Sequence, residues 1–283
     1  MIKQAARLAA GLMPEAVRAR LARYRFGYSG GAPEIPLTRD VHPDGTFTVR
    51  LAEGLAFSLP TDLEPDYLDH FVADGESRAE MAKFLELSRD SVPGAVLLDI
   101  GSHRGMFSLV HLMTAPGHRA VLVEPSPSLC RDAADLLRRN GVDGRAEIVV
   151  AGAAGASGPR RIVVDGLGFA RGAGGEADAL DVPFFTVDDL CAARGVVPAI
   201  VKIDVEGGEA EVLRGAVETL RTHRPVLCIE LHIDLLEQLG EPLGALIEGL
   251  SGIGYRLEAL SGASLRPWRL SRSLKAIQRI VAR

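Results

Sequence analysis

From Ala95 onward, short apolar runs rich in β-branched residues alternate with longer stretches of helical spacing. A strand with one wet face would show a polar residue at every second position, so near-continuous apolar runs read as strands covered on both faces. The runs fall near 96–100, 120–124, 147–151, 199–204 and 225–231, and helical stretches fill 105–114, 127–139, 187–194 and 208–222. In the last stretch Ala210, Leu213, Val217 and Leu220 recur at helical spacing. The alternation predicts a doubly wound α/β sheet, mostly parallel, closed by a terminal antiparallel hairpin from 255–260 and the segment just after it.

Before that domain, residues 28–45 carry three glycines and three prolines and read as a loop-rich connection. Residues 46–59 alternate weakly enough for a short hairpin, and 78–88 place Met81, Phe84, Leu85 and Leu87 at helical spacing. The expected division is an N-terminal extension and substrate cover at 1–90, the main domain at 91–270 and a basic tail at 271–283. Cys130, Cys191 and Cys228 are far apart without a C-x-x-C pair, which argues against a disulfide framework or a structural zinc site. With no apolar run near the roughly 18 residues of a membrane span and no signal-peptide pattern, the expected location is cytoplasmic.

Charge is unevenly spread. Residues 1–27 carry +5 and residues 266–283 carry +6 against a total of −5, leaving −16 for residues 28–265. General nucleic-acid binding by the main domain is therefore not expected. Residues 2–24 mix Ile2, Ala5, Ala6, Ala9, Leu12 and Met13 with cations, so the basic ends suggest peripheral contact with an anionic membrane. Gly11 and Pro14 interrupt that pattern and shorten any amphipathic face, which favours a solvated or packing helix over the membrane reading.

Val96 to Gly105 reads V-L-L-D-I-G-S-H-R-G: a strand ending near Asp99, then a turn bounded by Gly101 and Gly105 with Ser102 and His103 between them. Glycines permit close backbone approach, and the free N–H groups of the following helix can meet a polar ligand. The spacing is G-x-x-x-G rather than the G-x-G-x-x-G of dinucleotide sites, which weighs against the alternative of an NAD-dependent oxidoreductase. One βα unit later the run Ala120–Val123 ends in Glu124 and Pro125. A carboxylate there can accept both hydroxyls of an adenosine ribose, although a strand-end Glu can also cap the next helix.

A third constellation follows: Thr186-Val187-Asp188-Asp189-Leu190, then Val201-Lys202-Ile203-Asp204-Val205-Glu206-Gly207-Gly208-Glu209, Val212-Leu213-Arg214-Gly215-Ala216, Arg224-Pro225 and Ile229-Glu230-Leu231-His232. In order and spacing it resembles the FkbM family of methyltransferases, and with the earlier motifs the resemblance spans about residues 76 to 232. It implies a Rossmann-like methyltransferase fold, S-adenosylmethionine as cofactor and a hydroxyl acceptor on a sugar, glycan, lipid or natural product. Carried over by residue, it puts Asp99, Gly101, His103 and Gly105 around the methionine half of the cofactor. Glu124 falls on the ribose, Asp204 beside the sulfonium, and 151–154 near the adenine. His103 stands where the family commonly has Asn.

Methyl transfer requires alignment of acceptor and methyl, with a base if the acceptor bears a proton. Asp204, Glu206, Glu230 and His232 fall at two neighbouring strand ends. His232 is the expected general base by intrinsic pKa, with Asp204 lining the site. The expectation is a site without metal; the alternative is a Mg²⁺ held by Asp204 and Glu230. A module that keeps the cofactor pocket without catalysis is the other competing class.

Overall fold

The computed structural model describes residues 38–43, 46–51, 55–60, 75–164, 170–172, 179–260 and 277–283. In chain order, β1 (Thr38–Val41), β2 (Thr46–Arg50), β3 (Ala56–Pro60) and α1 (Gly75–Arg89) precede β4 (Val96–Ile100) and α2 (Met106–Thr114). Then come β5 (Arg119–Glu124), α3 (Pro127–Arg139), β6 (Ala146–Val150), β7 (Gly152–Ala153), β8 (Gly158–Val164), β9 (Ala170–Gly172) and β10 (Ala179–Phe185). The chain continues through α4 (Val187–Arg194), β11 (Ile200–Ile203), α5 (Glu209–Arg214), α6 (Val217–His223) and β12 (Val226–His232). It ends with α7 (Ile233–Gln238), α8 (Leu243–Gly252), β13 (Leu257–Ala259) and β14 (Ile277–Ala282).

The main sheet has the order β13-β14-β12-β11-β4-β5-β6. Its central strands β12, β11, β4, β5 and β6 are parallel, and β14 enters antiparallel between β12 and β13. From β4 the chain moves outward to β5 and β6, then returns to add β11 and β12 on the other side. That reversal between β4 and β11 opens the crevice where open α/β sheets bind ligands. Side-chain alternation splits the core in two. Leu98, Ile100, Val121, Val123, Val201 and Ile203 pack with α4 to α8, while Leu97, Ala120, Leu122 and Ile200 pack with α1, α2 and α3. The sheet is thus covered on both faces, the doubly wound α/β architecture expected from the sequence.

Several boundaries differ from the sequence reading. The 208–222 stretch is two helices, because Gly215 presses on the neighbouring chain: a Cβ there would lie 2.2 Å from the Ala154 carbonyl oxygen. The partner of β13 is β14, some seventeen residues later, rather than the segment just after it. Residues 277–282, expected in a basic tail, therefore form an inner strand of the main sheet. Thr38–Val41, expected in a loop, pairs with β2. Val49, Phe57 and Leu59 of the first sheet and Met81 and Phe84 of α1 share the core of α2 and α3. Strands β7 to β10 form a second sheet, order β7-β10-β8-β9, that the Gly- and Ala-rich composition of 151–175 concealed. The amphipathic segment 2–24 lies outside the described residues, among which no helix is long and apolar enough to cross a membrane.

Asn140, just past α3, fastens the first sheet. Its Oδ1 accepts from the Ser58 N–H at 2.8 Å and its Nδ2 donates to the Ser58 carbonyl at 2.9 Å, reproducing a strand's own hydrogen-bond pair. Asn140→Ala should cost about 1–3 kcal/mol, since it removes these two partly buried bonds and a third from Nδ2 to the Leu136 carbonyl. Thermal unfolding reads the loss, and faster amide exchange at Ser58 with unchanged exchange in β4 locates it.

Gly101 sets the turn after β4. Its φ is 75°, and a Cβ would fall 1.8 Å from the Asp204 carbonyl oxygen, so this turn and the one after β11 touch backbone to backbone. Gly101→Ala should cost about 2–5 kcal/mol, combining left-handed backbone with overpacking. Gly141→Ala has a similar φ of 66° and nothing within 4 Å, and should cost only about 1 kcal/mol. Equal melting-temperature losses in the two variants would refute the close-approach argument.

Candidate active site

The turn between β4 and α2 is built by two chain reversals. Gly101 and Gly105 both have positive φ, as does His103 at 50°. The N–H groups of Gly101 and Ser102 both reach the Val123 carbonyl oxygen of β5, and that of Gly105 reaches Ser102. Glu124 ends β5 beside this turn. Its Oε2 accepts from the His103 N–H at 3.0 Å and its Oε1 from the Ser126 N–H at 2.9 Å. Each oxygen keeps a further lone pair for a ligand hydroxyl. Burial pushes the carboxyl up to about 7, against the pull of the two N–H groups.

One strand over, Asp99 is buried and accepts from the Ser108 hydroxyl at 2.6 Å. Burial raises it to about 6, with Ser108 and Lys202 opposing. Lys202 sits beside it in register on β11, on the same face of the sheet. Its side chain is 1% exposed, with Nζ 3.2 Å from both Glu80 Oε1 of α1 and Asp204 Oδ2, and 4.8 Å from the centre of the Phe107 ring. Burial alone would lower this ammonium's pKa, but the carboxylates of Asp204, Glu80, Glu230 and Asp99 more than offset it and keep it charged.

The third group gathers where β11 and β12 end. His232 Nδ1 donates to Glu209 Oε1 at 2.8 Å, and its Nε2 lies 3.2 Å from Glu206 Oε2 and 4.0 Å from Glu230 Oε1. Glu209 Oε1 also accepts from the Gly207 N–H at 3.0 Å, while its buried Oε2 has no hydrogen-bond partner among the described residues. One donor atom each from Asp204, Glu230 and His232 falls within 4.8 Å of the others. The loop carrying Glu206 is wound tightly, with φ of 52° at Glu206 and 103° at Gly207.

The structure thus brings Asp99, Gly101, His103, Gly105 and Glu124 to one side of the crevice and Asp204, Glu206, Glu230 and His232 to the other. Burial would favour neutral His232, yet hydrogen bonds to Glu206 and Glu209 raise it to about 10. Both ring nitrogens face carboxylates, Glu209 on one side and Glu206 on the other. In the 151–154 segment, Ala151, Gly152 and Ala154 are buried, with the Gly152 α-carbon under the Phe184 ring.

Sequence reasoning missed Lys202, Glu80, Glu209 and Ser102. A lysine inside the apolar run 199–204, two residues before Asp204, was the legible sign, because a buried ammonium demands carboxylate partners. Glu80 carries no such sign, lying more than a hundred residues away. The turn has what a cofactor cradle needs. Ser102 Oγ is buried without a hydrogen-bond partner among the described residues, Glu124 has lone pairs to offer, and the backbone between them is bare of Cβ at Gly101.

The model of the Methyltransferase FkbM domain matches residues 99–257. No curated protein sequence matches. Among solved structures, methyltransferase FkbM from Methylobacillus flagellatus is 18% identical with a TM-score of 0.44, over 68% of this chain and 44% of that one. This chain therefore spans less than half the length of that relative. The O-methyltransferase TomG from Streptomyces achromogenes, solved with SAM, is 14% identical with a TM-score of 0.42, over 72% of this chain and 78% of that one. Fibrillarin from Aeropyrum pernix, with natively bound S-adenosyl-L-methionine, is 14% identical with a TM-score of 0.39, over 88% and 99%. The family model covers more than half of the chain, across both sides of the crevice from Asp99 through Asp204 to His232, and the chain belongs to the FkbM methyltransferase domain family.

Proposed function

We propose that the chain transfers a methyl group from S-adenosylmethionine to a hydroxyl oxygen of a sugar, glycan, lipid or natural product. The observation that carries this reading is the pairing of Glu124 with the orphan hydroxyl of Ser102 across a glycine turn, at the strand-order reversal. Glu124 would take the ribose diol, Ser102 Oγ and the turn's backbone the polar groups of the methionine half, and buried Asp99 would balance its positive charge. When bound, the cofactor supplies an electrophilic methyl on sulfur, whose C–S bond breaks as the acceptor oxygen's bond to that carbon forms. The chain's own task is alignment and exclusion of water. The proton of the acceptor hydroxyl must leave, and the partly open carboxylates of Asp204 and Glu206 are the groups beside the site able to receive it.

Glu124→Ala should weaken S-adenosylmethionine binding more than tenfold in calorimetry, since two ribose hydroxyls lose their acceptor at about 1–3 kcal/mol each. Unchanged affinity would remove the ribose assignment.

The same carboxyl gives a pH signature. Asp99 and Asp204 add negative potential around it and the His103 and Ser126 N–H groups oppose, leaving it near 7 before cofactor binds. Ribose donors favour the ionised form, so binding lowers this pKa and releases protons near neutrality. Affinity should therefore rise from pH 6 to pH 8 and flatten above, and the rise should vanish in Glu124→Gln. Calorimetry in buffers of different ionisation enthalpy counts the protons directly; a flat wild-type profile would refute the linkage.

A further inference from the structure

The cluster at the ends of β11 and β12 has more negative charge than its own cations neutralise. Asp99, Glu80, Asp204, Glu206, Glu209 and Glu230 face Lys202 and His232. Lys202 is already held between Glu80 and Asp204. A bound sulfonium cofactor adds one positive charge and leaves an excess.

The donor set has the layout of a metal centre rather than of a chance acidic patch. His232 Nδ1 is fixed by Glu209, a carboxylate with 0% exposure, which settles the ring's orientation and directs Nε2 towards Glu206 and Glu230. A buried carboxylate on the far nitrogen of an imidazole is the usual outer support of a metal-bound histidine. On the open side, the Asp204 and Glu206 side chains are 28% and 31% exposed, giving an ion a path in and room for an acceptor.

We propose that Asp204, Glu230 and His232 bind a divalent cation, with Glu209 holding the histidine from behind. One imidazole nitrogen with two carboxylates suits Mn²⁺, Fe²⁺ or Zn²⁺ better than Mg²⁺, which takes oxygen donors and water. Binding exchanges the Nε2 proton for the metal and so releases a proton. At this position the ion would lower the pKa of an acceptor hydroxyl bound to it; that role rests on the methyl-transfer reading, whereas cation binding itself does not.

The test uses the full chain, stripped with a chelator and titrated with MnCl₂ alone. Calorimetry and Mn²⁺ electron paramagnetic resonance should show one tight ion per chain, with ¹⁴N coupling from an imidazole in the wild-type spectrum. His232→Ala and Glu230→Gln should each weaken binding at least tenfold, and Glu209→Gln should weaken it about 10–100-fold by freeing the ring. No tight ion, a bound ion without nitrogen coupling, or affinity unmoved by these variants would each overturn the site. The wild-type nitrogen coupling decides the matter even where a variant fails to fold. S-adenosylmethionine titrated separately tells the two readings apart: cofactor binding without Mn²⁺ binding sinks the cation site alone, and Mn²⁺ binding without cofactor binding sinks the methyl-transfer reading alone.

Discussion

The buried ammonium of Lys202 is the constraint around which the rest is arranged. A charge with 1% exposure is tolerable only where carboxylates and a ring face surround it, and here Glu80, Asp204 and Phe107 do so from three different elements. That requirement fixes the end of β11 against α1 and α2 on one face of the sheet. Removing Glu80 would leave the buried ammonium with Asp204 as its remaining close carboxylate, a loss of up to about 3–5 kcal/mol by comparison with buried pairs. Helix α1 is thereby structural support for Lys202 and, through it, Asp204.

The site is built at the expense of stability. The carboxyls of Asp99 and Glu124, ordinarily near 4, are raised to about 6 and about 7, chiefly by burial. Between those limits the folded chain holds protons that the unfolded chain releases, so folding stability falls as pH rises from about 4 to about 7, and the penalty is full above that window. The left-handed turn at Glu206 adds local strain in the loop after β11. Carboxylates kept in this condition, against a bare glycine turn, make sense where a ligand with donors and positive charge relieves them.

How far the sequence was legible depends on whether a feature is local. Strands β4, β5, β6, β11 and β12 and helices α2, α3 and α4 were readable to within a residue or so, because apolar runs and helical spacing are local signals. Helix α3 even shows its start in the letters, with Ser126 capping the Leu129 N–H and Pro127 in the first turn. Gly101 and Glu124 were readable for the same reason. What failed was non-local. The break at Gly215 comes from the Ala154 carbonyl across the domain, and β14 joins the sheet across an intervening segment. The company of His232 is non-local too: Glu209 and Glu206, more than twenty residues earlier in the chain, close on both its nitrogens. The intrinsic pKa of a histidine says nothing about such company.

That non-local logic converges on α5, a helix of six residues. Its first residue, Glu209, holds His232 at the strand ends. Two residues on, Glu211 accepts from the Gly155 N–H, Arg160 and Arg214, and Arg214 in turn donates to Glu241. These contacts, led by Arg214, keep the Glu211 carboxyl near 2, although its exposure discounts what the pairing adds to stability. Gly215, at the helix's end, needs its missing Cβ to pass the Ala154 carbonyl. One short element is therefore pinned at both ends, to the strand-end cluster by Glu209 and to the second sheet by Glu211 and Gly215. A helix this short has little stability of its own and owes its position to these tertiary contacts. Its register cannot shift without moving His232 and the 154–160 segment together, which makes the second sheet part of the support for the site.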